Sequence, residues 1–231
     1  MLFDVVQEVK IQAETLVPSR FKLVEGEVEC LKQGLKVLSD DVNQRLRKLQ
    51  QFALDSVLDA AVSGYANTLK EWTGKATATI VYDSNICPFT DECLFMAVKG
   101  KPNVAVVATT ADGDVFGGFF SVALTEQDKW FKDPNMFIFS FESHGRCKTP
   151  QRFVVKDGWK EYACVFFSKN DSFGQFIWFS GGYGSLYLGN EKSDTYCRDM
   201  SNGFEGIERT TLTGKDRERF TCCRLVAIQL E

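Results

Sequence analysis

Residues 113–121 read Gly113-Asp114-Val115-Phe116-Gly117-Gly118-Phe119-Phe120-Ser121, preceded by the apolar run Val104-Ala105-Val106-Val107-Ala108 and an Asp112-Gly113 pair. Two runs of β-branched and aromatic residues separated by Asp-Gly predict a β-hairpin with a two-residue turn. Gly117 and Gly118 inside the second run predict a bulge or a close backbone approach, because a glycine within a strand leaves the space that a Cβ would fill. The stretch reads as the heart of a β domain and not as a nucleotide site.

Working outward from it, the chain after Thr77 breaks into short β-rich runs divided by turns, at 78–82, 104–108, 115–122, 136–141, 152–155, 163–167, 176–179, 185–188 and 220–230. Strands at such intervals predict a sandwich or barrel. One interruption is helical: Thr90 is placed to cap a short helix whose Leu94, Phe95 and Val98 face the core. Cys222 and Cys223, adjacent in the last run, must point to opposite faces of one strand.

The N-terminal part has a different texture. Val28, Leu35, Val42 and Leu49 recur every seven residues, and Val24, Leu31, Leu38, Arg45 and Phe52 form a second such row. This pattern predicts a coiled coil over about 24–52, with β-branched Val28 and Val42 at a and Leu31 and Leu38 at d favouring a parallel two-stranded rope. The expected dimerisation residues are Val24, Val28, Leu31, Leu35, Leu38, Val42, Leu49 and Phe52. After Phe52 the apolar spacing shifts phase to Leu54, Leu58, Ala61, Tyr65, Leu69 and Trp72, with Ser63-Gly64 a candidate kink or end and Gly74 the helix stop. The expected organisation is a short amphipathic segment at 1–17, a helical part at 18–74 and a β domain at 75–231.

Bulk properties narrow the functional classes. The 231 residues carry a formal net charge of −4 and are 44% hydrophobic, with twenty Phe and five Pro. Disorder is excluded by that apolar content, and an acidic balance without a Lys/Arg cluster argues against nucleic acid or acidic lipid as main ligand. No apolar run reaches the length of a membrane helix, and the acidic first residues do not fit a signal peptide, so a cytoplasmic protein with free thiols is expected.

The order of motifs resembles the TLDc domain family. Its pattern of a start strand, a capped helix, a hairpin into Phe-Gly-Gly-aromatic, an Asp-Pro-Asn approach to an apolar strand, a Gly-rich turn and a closing strand is similar to Ile80–Asp83, Thr90–Val98, Phe116-Gly117-Gly118-Phe119, Asp133-Pro134-Asn135, Ser180-Gly181-Gly182-Tyr183-Gly184 and residues 220–230. A coil preceding such a domain looks like a divergent, protozoan-type member. The resemblance implies an α+β fold, a two-sheet antiparallel β-sandwich with short flanking helices. It also implies a non-catalytic protein that binds another protein, with links to oxidative-stress resistance and to a subunit of the vacuolar proton-pumping ATPase. The chain departs from the family pattern at Tyr183-Gly184-Ser185 and at Arg224-Leu225-Val226-Ala227-Ile228.

Little in the sequence points to chemistry. The one histidine, His144, lies in a polar loop without a Gly-x-Ser-x-Gly elbow, and reads as exposed and non-catalytic. The eight cysteines contain no Cys-x-x-Cys pair, so no metal site is expected. Ser180–Ser185 lacks the following helix and Lys of a phosphate loop, Gly206 and Gly214-Lys215-Asp216 have the wrong spacing and Asp where Ser or Thr must stand, and no cofactor is expected. Asp112-Gly113-Asp114 is too short for a calcium loop. Two thiols are redox candidates: Cys147 between Arg146 and Lys148, and Cys93 at the start of the short helix. They carry the alternative reading, a thiol-based peroxide-consuming protein. A third is a structural coiled-coil protein with a passive β domain.

Overall fold

The computed structural model describes residues 5–8, 10, 24, 25, 28–46, 49, 60–167, 175–190 and 195–231. The chain divides into two units, Met1–Leu49 and Gln50–Glu231. In the first unit every described residue is helical, with an unbroken run at 28–46. Of the expected seam positions, Val24, Val28, Leu31, Leu35, Leu38, Val42 and Leu49 lie on helical residues, while Phe52 lies outside the described residues.

The described part of the second unit starts with helix α1 (Ala60–Thr73) and continues through β1 (Ala78–Asp83), α2 (Asp91–Val98), β2 (Val104–Thr110), β3 (Val115–Phe120), β4 (Phe137–Glu142) and β5 (Gln151–Val154). A single 3-10 turn, Lys160–Tyr162, leads to β6 (Cys164–Phe166), β7 (Gln175–Gly181), β8 (Gly184–Gly189), β9 (Tyr196–Arg198), the one-turn helix α3 (Met200–Gly203) and β10 (Cys222–Leu230). Among the described residues these strands form two antiparallel sheets, one in the order β1-β10-β2-β3-β4-β5 and one in the order β6-β7-β8-β9. The expected two-sheet α+β architecture is therefore present.

Strand β3 occupies a central place in the larger sheet, pairing Gly118 with Val106 of β2 and with Ile138 of β4. One face of that sheet closes against the smaller sheet: Phe116, Phe120, Ile138, Leu225 and Ala227 meet Phe166, Phe179, Leu186 and Leu188 in a continuous buried core. The second face carries Ile80, Val107, Phe119, Phe137, Phe139 and Phe141, and α1 covers it through Leu69, Tyr65 and Trp72. Tyr65 stacks on Phe141 at 4.4 Å between ring centroids, and Trp72 stacks on the same ring at 5.7 Å. On the smaller sheet, Trp130, Trp178, Tyr187 and Tyr196 run as an aromatic ladder with successive centroids 4.5, 4.7 and 4.4 Å apart.

Local rules account for the boundaries. Thr90 is extended (φ −130°, ψ 154°) and its hydroxyl accepts from the Cys93 N–H, capping α2, while Leu94, Phe95 and Val98 are buried. Gly74, in the left-handed region at φ +69°, ends α1 as its N–H returns to the Lys70 carbonyl at 2.8 Å. Ser63-Gly64 does not end that helix, which continues to Thr73 because its Tyr65, Leu69 and Trp72 face is held by the sheet. The hairpin also differs from expectation. Thr110 N–H donates to Asp114 O and Gly113 N–H to Thr110 O, so the loop is the three residues Ala111-Asp112-Gly113, with Gly113 at φ +88°. A three-residue loop ending in a glycine of positive φ matches the strand twist as well as the two-residue turn would. β9 was not legible, being three residues long and held by its pairing to β8. Cys222 is buried and Cys223 exposed, as adjacent strand positions require.

Candidate functional site

The motif glycines act through space, not through a ligand. A Cβ at Gly118 would stand 2.5 Å from Cδ1 of Phe179, and one at Gly117 would meet the Val106 carbonyl and lie 2.9 Å from Cζ of Phe139. Gly118 thus lets the two sheets close, and Gly117 lets the opposite face pack under α1. In the second glycine run, Gly181 abuts the backbone of Gly203, Gly184 comes within 2.8 Å of the Gly203 nitrogen by the same measure, and Gly182, at φ +72°, lies under the Trp159 ring. These contacts fasten the β7–β8 turn to α3 and to Trp159 before the 3-10 turn.

Asp133 is buried completely. Its carboxylate accepts from the Ser121 N–H at 2.5 Å, the Ser121 hydroxyl at 2.6 Å and the Asn135 N–H at 3.0 Å. Asp133 ties the end of β3 to the approach of β4, and Pro134 and Asn135 project beyond it as the exposed lip of a groove. That groove, of about 570 Å³, lies between the C-terminal end of α1 and strands β4 and β5. Trp72, Phe119 and Phe137 supply its aromatic surface, and Lys75, Arg152 and Lys160 its charge. The Arg152 guanidinium donates to the Trp72 carbonyl and lies 5.6 Å from the centroid of the Phe137 ring. Helix, sheet and groove are joined at that side chain.

A TLDc domain model matches residues 62–224. The chain belongs to the TLDc family. Comparison with the curated proteins found no match. The family match runs from within α1 to Arg224 in β10, and so takes in a helix that lies before the sequence-derived boundary near residue 74. Within this TLDc chain, Phe116, Gly117, Gly118, Asp133, Gly181, Gly182 and Gly184 belong to the scaffold by their contacts, whereas Pro134 stands on the groove.

Cys93 and Cys147 are both half-buried; the Cys93 N–H is taken by Thr90 and the Cys147 N–H donates to the Ser143 hydroxyl at 2.7 Å. Cys30 and Cys223 are exposed. Burial pushes the Cys197 and Cys222 thiols up to about 12 and raises that of Cys164, which keeps all three neutral. Among the described residues no group of three His, Cys, Asp or Glu side chains is placed to hold a metal ion. No described helix is long and apolar enough to cross a membrane.

Two polar clusters escaped the sequence reading. His144, 56% exposed and at φ +50°, sets Nδ1 2.8 Å from the buried Asp114 carboxylate, which Arg146 also pairs with. Arg146 in turn donates to the Thr211 and Leu212 carbonyls, so three loops meet at Asp114. An aspartate orienting an imidazole is half of a general-base arrangement, but among the described residues no hydroxyl or thiol is hydrogen-bonded to its Nε2. In the second cluster the Arg217 guanidinium holds the buried Asp199 carboxyl below the ordinary carboxylate range, with Arg198 and Arg209 adding to it. A buried acid needs such partners, yet nothing in sequence spacing says which cations supply them. Arg224 did carry a signal: an arginine inside an apolar closing strand calls for a buried acid, and it pairs with Asp83 through two bonds of 3.0 and 2.6 Å.

Proposed function

We propose that this TLDc chain is a non-catalytic protein-binding module of the cytoplasm, paired with a second copy through its N-terminal helix. Its partner in this reading is a subunit of the vacuolar proton-pumping ATPase, and its setting is oxidative-stress resistance. The partner and the setting rest on family membership. Pairing rests on the seam: Val28, Leu31, Leu35, Leu38, Val42 and Leu49 are each between 43% and 68% exposed in the single chain. A heptad stripe of Val and Leu on a helix is a costly surface to leave in water, and a second identical stripe covers it by knobs-into-holes packing. Two linked copies also raise avidity for an assembly that presents two sites.

Light scattering on the full chain tests the pairing. The expected mass is twice 26.0 kDa, falling to a single chain in the Leu31→Lys/Leu38→Lys variant; a single-chain mass at every concentration would end this reading. Affinity capture with the full chain as bait, scored for peripheral ATPase subunits against a mock bait, tests the partner. Enrichment is expected, and its absence with folded bait removes the ATPase from the proposal.

A further inference from the structure

The groove at the end of α1 has a charge pattern that the scaffold does not require. Its lining, drawn from α1, the start of β2, the end of β3, the Pro134 lip, β5 and the 3-10 turn, holds Lys75, Arg152 and Lys160 and no carboxylate among the described residues. This is found in a chain where Asp and Glu outnumber Lys and Arg by 31 to 27. Three acids adjoin lining residues in sequence: Asp133 has both oxygens occupied by Ser121 and Asn135, Glu161 pairs with Lys132, and Glu71 is exposed outside the lining. Lys160 has one exposed partner, Asp157, at 3.1 Å, and such a solvent-screened pair yields readily to a competing carboxylate. Arg152 gives an N–H to the Trp72 carbonyl, and a guanidinium with five N–H donors keeps others for a ligand.

Between these cations the surface is part polar, from Thr73, Asn103, Ser121 and Asn135, and part apolar. Its accessible apolar part is the half-buried Trp72 and Val154, 41% exposed, over a buried stacked pair, Phe119 and Phe137, with centroids 4.8 Å apart. The cavity is open along one side and bordered by β5, the last strand of its sheet. An open trough along an edge strand suits an extended chain segment better than an enclosed small molecule. We infer that this groove binds an acidic peptide segment of a partner protein, with carboxylates meeting Lys75, Arg152 and Lys160 and an apolar or aromatic side chain seated against Trp72 and Val154. The inference deepens the protein-binding reading and rests on it for the source of the peptide. The attraction is electrostatic complementarity around an apolar anchor, which sets specificity and association rate.

The probe is fluorescein-labelled poly(Glu,Tyr) copolymer, followed by fluorescence anisotropy with the full chain, with poly(Lys,Tyr) as its opposite. The acidic copolymer is expected to bind and to weaken with salt, since charges at an open groove are screened. Lys75→Glu/Lys160→Glu is expected to weaken it by about tenfold, whereas Lys129→Glu/Lys148→Glu, of equal net charge change, stays within about twofold. Circular dichroism and melting temperature of both variants establish that they fold. Equal weakening in both pairs, no binding, or preference for poly(Lys,Tyr) overturns the proposal. If the groove holds a second copy of this chain, the Lys75→Glu/Lys160→Glu change alters the assembly mass and the copolymer does not bind, which also overturns it. The two readings fail separately. Partner capture that survives the groove variant sinks the groove alone, while copolymer binding by a chain that captures nothing sinks the partner reading alone.

Discussion

Gly118 of β3 lies directly beneath the ring of Phe179 of β7, close enough that a Cβ at residue 118 would stand 2.5 Å from Cδ1. This contact sets the separation of the two sheets at their middle, because the Phe179 side chain is buried completely and has no space into which to withdraw. Gly118→Ala is expected to lower stability by about 2–3 kcal/mol through overpacking. Phe179→Leu in the same chain should recover part of that loss. A double-mutant cycle by urea denaturation reads the coupling, and additive losses would show that the two residues do not oppose each other.

Asp133 holds its place by three accepted hydrogen bonds, two of them from Ser121. Asp133→Ala takes the acceptor from the half-buried Ser121 N–H and hydroxyl, at an expected cost of about 1–3 kcal/mol. Since Pro134 and Asn135 form the groove lip, the same change should loosen that lip. Hydrogen exchange is expected to quicken at Asn135 and Met136 before it does in α2, and equal protection in both segments would refute the link.

Asp83 and Arg224 join β1 to β10 across 141 residues of sequence, with side chains 1% and 19% exposed. Removing the cation alone strands a buried carboxylate, so Arg224→Met is expected to cost about 3–5 kcal/mol, whereas Asp83→Asn/Arg224→Met together costs much less. Thermal melts of the two single variants and the double variant decide this. A double variant as unstable as the sum would mean that the pair is not a unit.

The buried thiols predict a falling stability in alkali. Cys197 and Cys222, with an ordinary value of 9.0, are pushed up to about 12 by burial, and Cys164 is raised by the same cause. The folded chain keeps these protons while the unfolded chain releases them, so the contribution is whole below pH 9.0 and is lost as pH rises toward about 12. The slope is up to about 1.4 kcal/mol per pH unit for each thiol. Urea midpoints taken either side of the thiol range should show the decline, and Cys197→Ala should flatten it. Asp199 acts in the opposite sense. Its carboxyl, held low first by Arg217, contributes above the ordinary carboxylate range and is lost as pH falls through the depressed value.

Much of the β domain was legible because strands and caps announce themselves locally. The alternating and aromatic runs gave nine of the strands, Thr90 marked the start of α2, Gly74 the end of α1, and the Cys222-Cys223 pair split between two faces. The errors were local as well. Ser63-Gly64 reads as a breaker until Tyr65, Leu69 and Trp72 are seen packed on the sheet, and β9 is too short for any periodicity to register. For the groove, Pro134 was singled out, but Trp72 and Arg152 stand 80 residues apart and no spacing rule connects them.

What the sequence determined by itself was therefore most of the elements, their faces and the family, since these follow from backbone geometry, side-chain period and turn chemistry within a few residues. The tertiary structure alone decided that Gly118 meets Phe179, that Arg224 finds Asp83, that Asp114 gathers His144 and Arg146, and that three cations border one aromatic trough. Those meetings depend on a sheet order in which β10 lies between β1 and β2. That order is selected by the packing of whole faces against one another, a property of the folded chain that no local window contains.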